Sequence, residues 1–336
     1  MTKNMKNMDI LDFTKIILSL MVVAIHSNLF PMILYPWVRL AVPLFFIISS
    51  YLLHLKINNS NEHERKMIIK HYIIRMLKLY MFWLIALLPI TIYFRKDWFN
   101  NGIFSGLGYF ILKFFLGSTF KASWYISASI IGTIIVDILS KKNNIKILLL
   151  FYILVYLLCC YCSGYVFFFS KSIVMNFFHN IHMNPECSFP VSLIYIYLGS
   201  LLSEDRFKIN RKINAFLIVI SCILLYTEWL LIYKVSGGYN KDSYIFIMPT
   251  SFLIFNYIKN IKITINNSKT LRQLSNFIYP LHASVASFNR FFLRKFISND
   301  LLIGMFCFLI TLLVCLLGYI IVKHCENKIK ILKYSY

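Results

Sequence analysis

A stretch of about 20 apolar residues is long enough to cross the hydrocarbon core of a bilayer as a helix. This 336-residue chain offers ten such stretches, at 10–30, 37–55, 72–94, 122–139, 147–168, 188–202, 213–233, 243–258, 274–292 and 301–322. The sixth is short, and the ninth carries several polar groups. A further apolar piece at 103–116, bearing Gly102, Gly106, Gly108 and Gly117 at or near its ends, reads as re-entrant or interfacial. The first stretch holds Asp12 and Lys15 and has no small-x-small site before Pro31, so it reads as a retained span and not as a cleaved leader. With 59% hydrophobic and 14% charged residues and a mean hydropathy of +0.69, the chain lies far from the usage of soluble domains. Its 31 Phe and 22 Tyr against 11 Gly exclude disordered, collagenous and small secreted classes. The expected fold class is therefore all-α, a polytopic membrane helix bundle of about ten transmembrane helices, with residues 1–336 forming one domain.

The net charge of +22 invites a nucleic-acid reading, but in a membrane protein Lys and Arg first set topology. With the amino terminus inside, 23 basic residues face the cytoplasm and 11 face outward, with Lys15 left within a span. The opposite orientation reverses that ratio, so both termini are expected to be cytoplasmic. The basic tail Lys323, Lys328, Lys330 and Lys333 serves as an anchor, with attraction to anionic lipid as the lesser reading. Of the eight cysteines, Cys159, Cys160, Cys162, Cys222, Cys307 and Cys315 sit in apolar runs, where Cys acts as a small hydrophobe. Neither the 159–162 cluster nor His179 with His182 has metal-ligand spacing, so no metal and no nucleic acid are expected.

Ionisable groups within spans cost at least ~2.5–3.5 kcal/mol near the bilayer centre and need interior partners or a function. The first span carries three: Asp12, Lys15 and His26. Lys15 and His26 are eleven residues apart, which is three turns plus about 20° and about 16 Å along the axis. One stripe thus holds a cation near the inner end and an imidazole near the outer end, with Asp12 about 40° off that line. Ser19 and Val22 lie between them, as the lining of a narrow channel would. A neutral imidazole can take a proton from a hydroxyl, and a deep cation can hold the phosphates of a long donor. The alternative is that Lys15 snorkels to one interface while His26 rests at the other.

Residues 9–53 contain Asp-Ile-Leu-Asp-Phe-Thr-Lys, Val-Val-Ala-Ile-His-Ser and Val-Arg-Leu-Ala-Val-Pro-Leu-Phe-Phe-Ile-Ile-Ser-Ser-Tyr-Leu-Leu. Further on come Ile74-Arg75…Lys78-Leu79-Tyr80, Trp124-Tyr125-Ile126, Ile194-Tyr195-Ile196-Tyr197-Leu198-Gly199 and Ile278-Tyr279-Pro280-Leu281-His282. Together they resemble the acyltransferase-3 family of bacterial membrane O-acyltransferases, whose signature of Arg or Lys, ten residues, then His is matched by Lys15 and His26. Thr227-Glu228 and Asp242-Ser243-Tyr244 look most like the branch that contains the membrane domain of vancomycin-resistance serine racemases. Departures are Ser50 in place of the usual Gly, Lys15 in place of the commoner Arg, and Met183-Asn184-Pro185-Glu186-Cys187 in place of an Arg-Asn-Gly type sequence.

The resemblance implies His26 as catalytic base, with Lys15, Arg75 and Lys78 on the donor. Arg75 would hold the phosphates of coenzyme A, assisted by Lys78 at i+3. Topology anchoring is the plain alternative for both. Trp124 and Tyr125 line the acceptor mouth or belong to an aromatic belt. Glu228, about one turn from the end of the seventh span, serves the acceptor, orients His26 or stabilises a neighbouring helix. Tyr279 and His282 share a face around Pro280, which should kink the ninth span. His282 is then a second polar group of the channel or a packing residue. The function implied is transfer of an acetyl or other short acyl group from cytoplasmic acetyl-CoA or another acyl-CoA to a hydroxyl of a cell-surface polysaccharide or its lipid-linked precursor. The location implied is the bacterial plasma (inner) membrane. The rivals are a transporter or permease for a small polar substrate such as an amino acid, and an assembly factor whose site has decayed.

Overall fold

The computed structural model describes residues 8–29, 31–141, 144–168, 173–238 and 241–336, so Lys3, Lys6, Lys142 and Lys171 of the charge count fall outside it. All secondary structure among the described residues is helical. In chain order the α-helices are α1 (Met8–Ser27), α2 (Pro31–Val38), α3 (Ala41–Ile57), α4 (Glu62–Ala86), α5 (Leu88–Phe94), α6 (Ile103–Leu116) and α7 (Trp124–Ser140). They continue with α8 (Ile145–Cys162), α9 (Ile173–Asn180), α10 (Phe189–Ser203), α11 (Arg211–Val235), α12 (Ile247–Ile258), α13 (Ser268–Leu293) and α14 (Asp300–Cys325).

Asparagine starts several of these helices. Asn61, Asn144, Asn210 and Asn299 each accept a hydrogen bond from an N–H of the first turn, which no helical carbonyl can satisfy. At Asn61 the side chain of Glu64 returns the bond to the cap's own N–H and closes a capping box. The stretch 72–94, expected as one span, is broken. α4 and α5 meet at 68°, and Pro89 in the first turn of α5 has no N–H to carry the α4 ladder onward.

Among the described residues five helices are long and apolar enough to cross a membrane, or six if α4 with α5 makes one span. The expected count of ten leans also on α7, α10 and α12, which are shorter, and on α13, which is long but polar. Helix α10 explains its own brevity. Every residue from Pro190 to Leu202 is buried, so it meets protein on all sides. Gly199 permits this, because a methyl there would sit 2.6 Å from the carbonyl oxygen of Ile47 on α3. Gly132 does the same for α7, where a methyl would fall 2.6 Å from Ile196 and Ser192 of α10.

Helices α1 and α13 form the second tight pair. The Ser19 and Ser275 hydroxyls lie 2.6 Å apart and each lies 3.0 Å from the carbonyl oxygen of Lys15, so one hydroxyl donates to that carbonyl and the other donates to its serine partner. Small polar residues of this kind let two helix backbones approach closely in an apolar medium. Ser19 is fully buried in that contact, so it fastens helices and does not line a channel as its position on the stripe had implied.

Candidate functional site

Two cavities open between α1, α3, α7 and α13. The first, about 330 Å³, is lined by Lys15 of α1, His71, Arg75 and Lys78 of α4, Arg272 of α13 and Lys333. All of these are basic residue types, and their placement follows from helix periodicity. Arg75 and Lys78 are neighbours at i, i+3, as are Asp12 and Lys15. Asp12 is the counter-ion. It lies 4.0 Å from the Lys15 ammonium and 3.3 Å from Arg272, and is only 3% exposed. Lys78 stacks its ammonium over the Tyr334 ring at 4.8 Å. A concave site with this many cations suits a polyanion.

The second cavity, about 420 Å³, receives His26 at the other end of α1. His282 of α13 stands beside it, with ring centroids 5.0 Å apart. The Nδ1 of His282 lies 2.6 Å from the carbonyl of Tyr279 and 3.1 Å from that of Ile278. Both partners are pure acceptors, so Nδ1 carries the proton and a neutral ring presents a lone pair at Nε2. That Nε2 is buried without a hydrogen-bond partner among the described residues. Pro280 lies inside α13 and offers no N–H to the carbonyl of Asn276, whereas the His282 imidazole donates within its own turn, to the carbonyls of Ile278 and Tyr279.

Around the two imidazoles stand Arg39, Lys121, Arg290, Glu186 and Asp242. Arg39 pairs with Asp242 at 2.6 Å, lies over the Tyr35 ring at 4.5 Å and donates to the Tyr35 hydroxyl. The loop that carries Asp242 is fixed by many bonds. Ser163 Oγ accepts from the N–H groups of Asp242 and Ser243 at 3.2 Å, and the Tyr156 hydroxyl donates to the carbonyl of Tyr244 at 2.6 Å. Glu228 finishes the job: its carboxylate accepts from the N–H groups of Ile245 and Phe246, at 2.5 and 2.9 Å, and from the Tyr165 hydroxyl at 2.6 Å. Glu186 sits in the loop before α10, where burial, the largest cause, and the nearby Asp242 push its carboxyl up to about 7.

The two cavities meet at Tyr279, which lines both. Its ring packs against Tyr125 at 4.8 Å and Phe45 at 5.6 Å, and its hydroxyl donates to the carbonyl of Ala122 at 3.4 Å. These rings form a partition across what the sequence had implied to be one continuous passage.

Of the residues singled out in sequence, Lys15, Arg75, Lys78 and Tyr125 line the first cavity, and His26, Trp124 and His282 line the second. Trp124 and Tyr125, adjacent at the start of α7, therefore fall on opposite sides of the partition. Asp12 and Glu228 support the walls: one holds two cations in place and the other staples a loop to the start of α12. Sequence reasoning did not single out Arg39, Lys121, Arg272 or Arg290 as site residues, and it met Glu186 and Asp242 only inside motifs compared with the family. An excess of basic residues beyond the topology rule, 11 on the side expected to face outward, was the available signal for part of this set.

The family model described as "Acyltransferase domain", of the acyltransferase-3 type, matches residues 8–320. An amino-acid racemase of Enterococcus faecalis is 32% identical over 158 residues, which is 44% of this chain and 22% of that protein. A serine/alanine racemase of Enterococcus gallinarum is 24% identical over 315 residues, 89% of this chain and 44% of the relative. The chain thus spans less than half the length of either curated relative. No solved structure matches. A family model that covers nearly every helix, from α1 through most of α14, places the chain in the acyltransferase-3 family of membrane proteins.

Proposed function

We propose that this chain is a bacterial plasma-membrane O-acyltransferase that carries an acetyl or other short acyl group from cytoplasmic acyl-CoA to a hydroxyl of a cell-surface polysaccharide or its lipid-linked precursor. The observation that supports it is the pairing of a cation-lined cavity around Lys15 with a cavity around His26, on one helix and with one residue, Tyr279, common to both walls. Lys15, Arg75, Lys78 and Arg272 hold the donor's phosphates by charge-assisted hydrogen bonds. The extended pantetheine arm rises about 16 Å along α1, and to reach His26 it displaces the Tyr279 ring from the aromatic partition. At its end, a nitrogen of His26 takes the proton of the acceptor hydroxyl. The acceptor oxygen attacks the thioester carbonyl, the C–S bond breaks, and the coenzyme A thiolate leaves and recovers the proton from the imidazolium. General-base help of this kind contributes about 10²–10⁴-fold.

The test compares surface glycans by mass spectrometry in cells with the wild-type chain, with His26→Ala and without the gene. An acetyl increment present only with the wild type is expected. An increment that persists with His26→Ala overturns the assignment. A second reading, a permease for a small polar solute such as an amino acid, draws on the relatives' names, both amino-acid racemases. Uptake of labelled serine into proteoliposomes without consumption of acetyl-CoA decides for it.

A further inference from the structure

The cations of the His26 cavity are not equivalent. Arg39 is matched by Asp242 at 2.6 Å. Lys121 and Arg290 have no carboxylate within ion-pair distance among the described residues, and Asp300 at the start of α14 acts on Arg290 only at longer range. Lys121 donates to the Ser287 hydroxyl at 2.6 Å and lies over the Phe94 ring at 4.4 Å. Ser287 is three residues before Arg290 on α13, so the lysine ammonium rests beside the arginine's own turn. The Nη2 of Arg290 is buried without a hydrogen-bond partner among the described residues, an expensive state for a charged donor unless something binds there.

We infer that Lys121 and Arg290 form an oxyanion-binding subsite, and that the acceptor carries a carboxylate or phosphate close to the hydroxyl that His26 activates. Three observations set the class. Tyr279, His282 and Arg290 fall on one stripe of α13, and eight residues separate His282 from Arg290, about 12 Å along the axis. An arginine side chain and a single sugar ring fill that span together. The acidic groups of the cavity do not cancel the two cations. Asp242 is spent on Arg39, and Glu186, its carboxyl raised by burial, carries only part of its charge near neutrality. Finally, Lys121 follows directly on Ser118–Phe120 in a tight loop and precedes Ala122, whose φ of 64° lies in the left-handed region; the Tyr279 hydroxyl bonds the Ala122 carbonyl. That contact fixes the loop and aims the lysine across the cavity.

This inference rests on the acyl-transfer reading for its acceptor, and the experiment separates the two. The full chain in lipid nanodiscs is titrated calorimetrically with methyl glucuronide, glycerol 3-phosphate and the neutral methyl glucoside. At least one oxyanion is expected to bind about tenfold or more tighter than the glucoside, as charge-assisted bonds exceed neutral ones. A preference for the glucuronide assigns a uronic-type acceptor, and a preference for the phosphate a phosphodiester polymer. The preference is expected to vanish in the Lys121→Met/Arg290→Met double variant and to survive in Lys121→Arg and Arg290→Lys, which guards against loss of fold. Equal affinity for charged and neutral ligands, no binding of any of the three, or an unchanged preference in the double variant overturns the subsite. Acetylation of the glucuronide is then followed with acetyl-CoA. Charge-dependent binding with no product overturns the transferase reading alone, and product formed without charge preference overturns the subsite alone.

Discussion

The Lys15 chamber and the His26 chamber have similar volumes, yet they are built differently. The first is walled mainly by helices, and its cations come from α1, α4 and α13 and from Lys333 of the C-terminal segment, with Asp12 as a shared internal counter-ion. The second mixes helix ends with three loops, those carrying Lys121, Glu186 and Asp242, and leaves two of its cations without a carboxylate. A rigid, electrostatically pre-assembled wall suits a ligand that never changes. A wall of loops suits a ligand that varies among relatives, because loops accept substitution where packed helices do not. Under the acyl-transfer proposal, the difference assigns the constant donor to the first chamber and the particular acceptor to the second.

The sharpest way to break this division is kinetic. His26→Gln is expected to lower kcat about 10²–10⁴-fold with the KM for acetyl-CoA nearly unchanged, since a general base acts in the transition state. An equal loss in donor affinity would merge the two chambers into one functional unit. Next comes Arg75→Gln, expected to raise the KM for acetyl-CoA about tenfold while the acceptor KM holds, the worth of one charge-assisted hydrogen bond. Glu228→Ala removes the acceptor of two backbone N–H groups and one hydroxyl, so thermal unfolding in nanodiscs should show a loss of about 2 kcal/mol. It should also weaken acceptor binding more than donor binding, because the loop it holds borders only the His26 chamber.

The smallest effect is the pH dependence of the His26 chamber. Glu186 faces Asp242 and Lys241 in the neighbouring loop, Arg39 before α3, and Cys159 and Cys162 of α8. Its folded pKa of about 7 lies above the usual glutamate value, so the neutral form is the favoured one. Stability from this group is complete below the unfolded pKa and is lost as pH rises through about 7. Oxyanion binding should fall over the same interval as the carboxylate appears, by a few-fold between pH 6 and pH 8 on the order of one screened charge. Glu186→Gln should flatten both profiles. A wild-type profile already flat would remove Glu186 from the account of the chamber's charge.

Much of the fold was legible because it rests on apolar runs, which are local; the Asn caps are equally local and went unread. The Lys15–His26 relation was legible for the same reason: both lie on α1, and helix periodicity alone sets their offset. What escaped depends on tertiary contact. Ser19 has the position of a lining residue, but its partner Ser275 lies 256 residues away and turns it into a fastener. Glu228 resembles a functional carboxylate until the N–H groups of Ile245 and Phe246 come into view. Arg39, Lys121 and Arg290 are scattered over 251 positions, and nothing in their flanking sequence says that one is paired and two are not. The break at Leu87 was readable from Pro89, whose missing donor was passed over in favour of the apolar count.

The aromatic partition has a consequence for the cell as a whole. A pore wide enough for a pantetheine arm would let protons and metabolites leak down their gradients. With Tyr279 packed against Tyr125 and Phe45, a wall of rings stands between the two cavities. Under the acyl-transfer proposal, such a wall would let donor and acceptor meet across a few side chains while the electrochemical potential is kept.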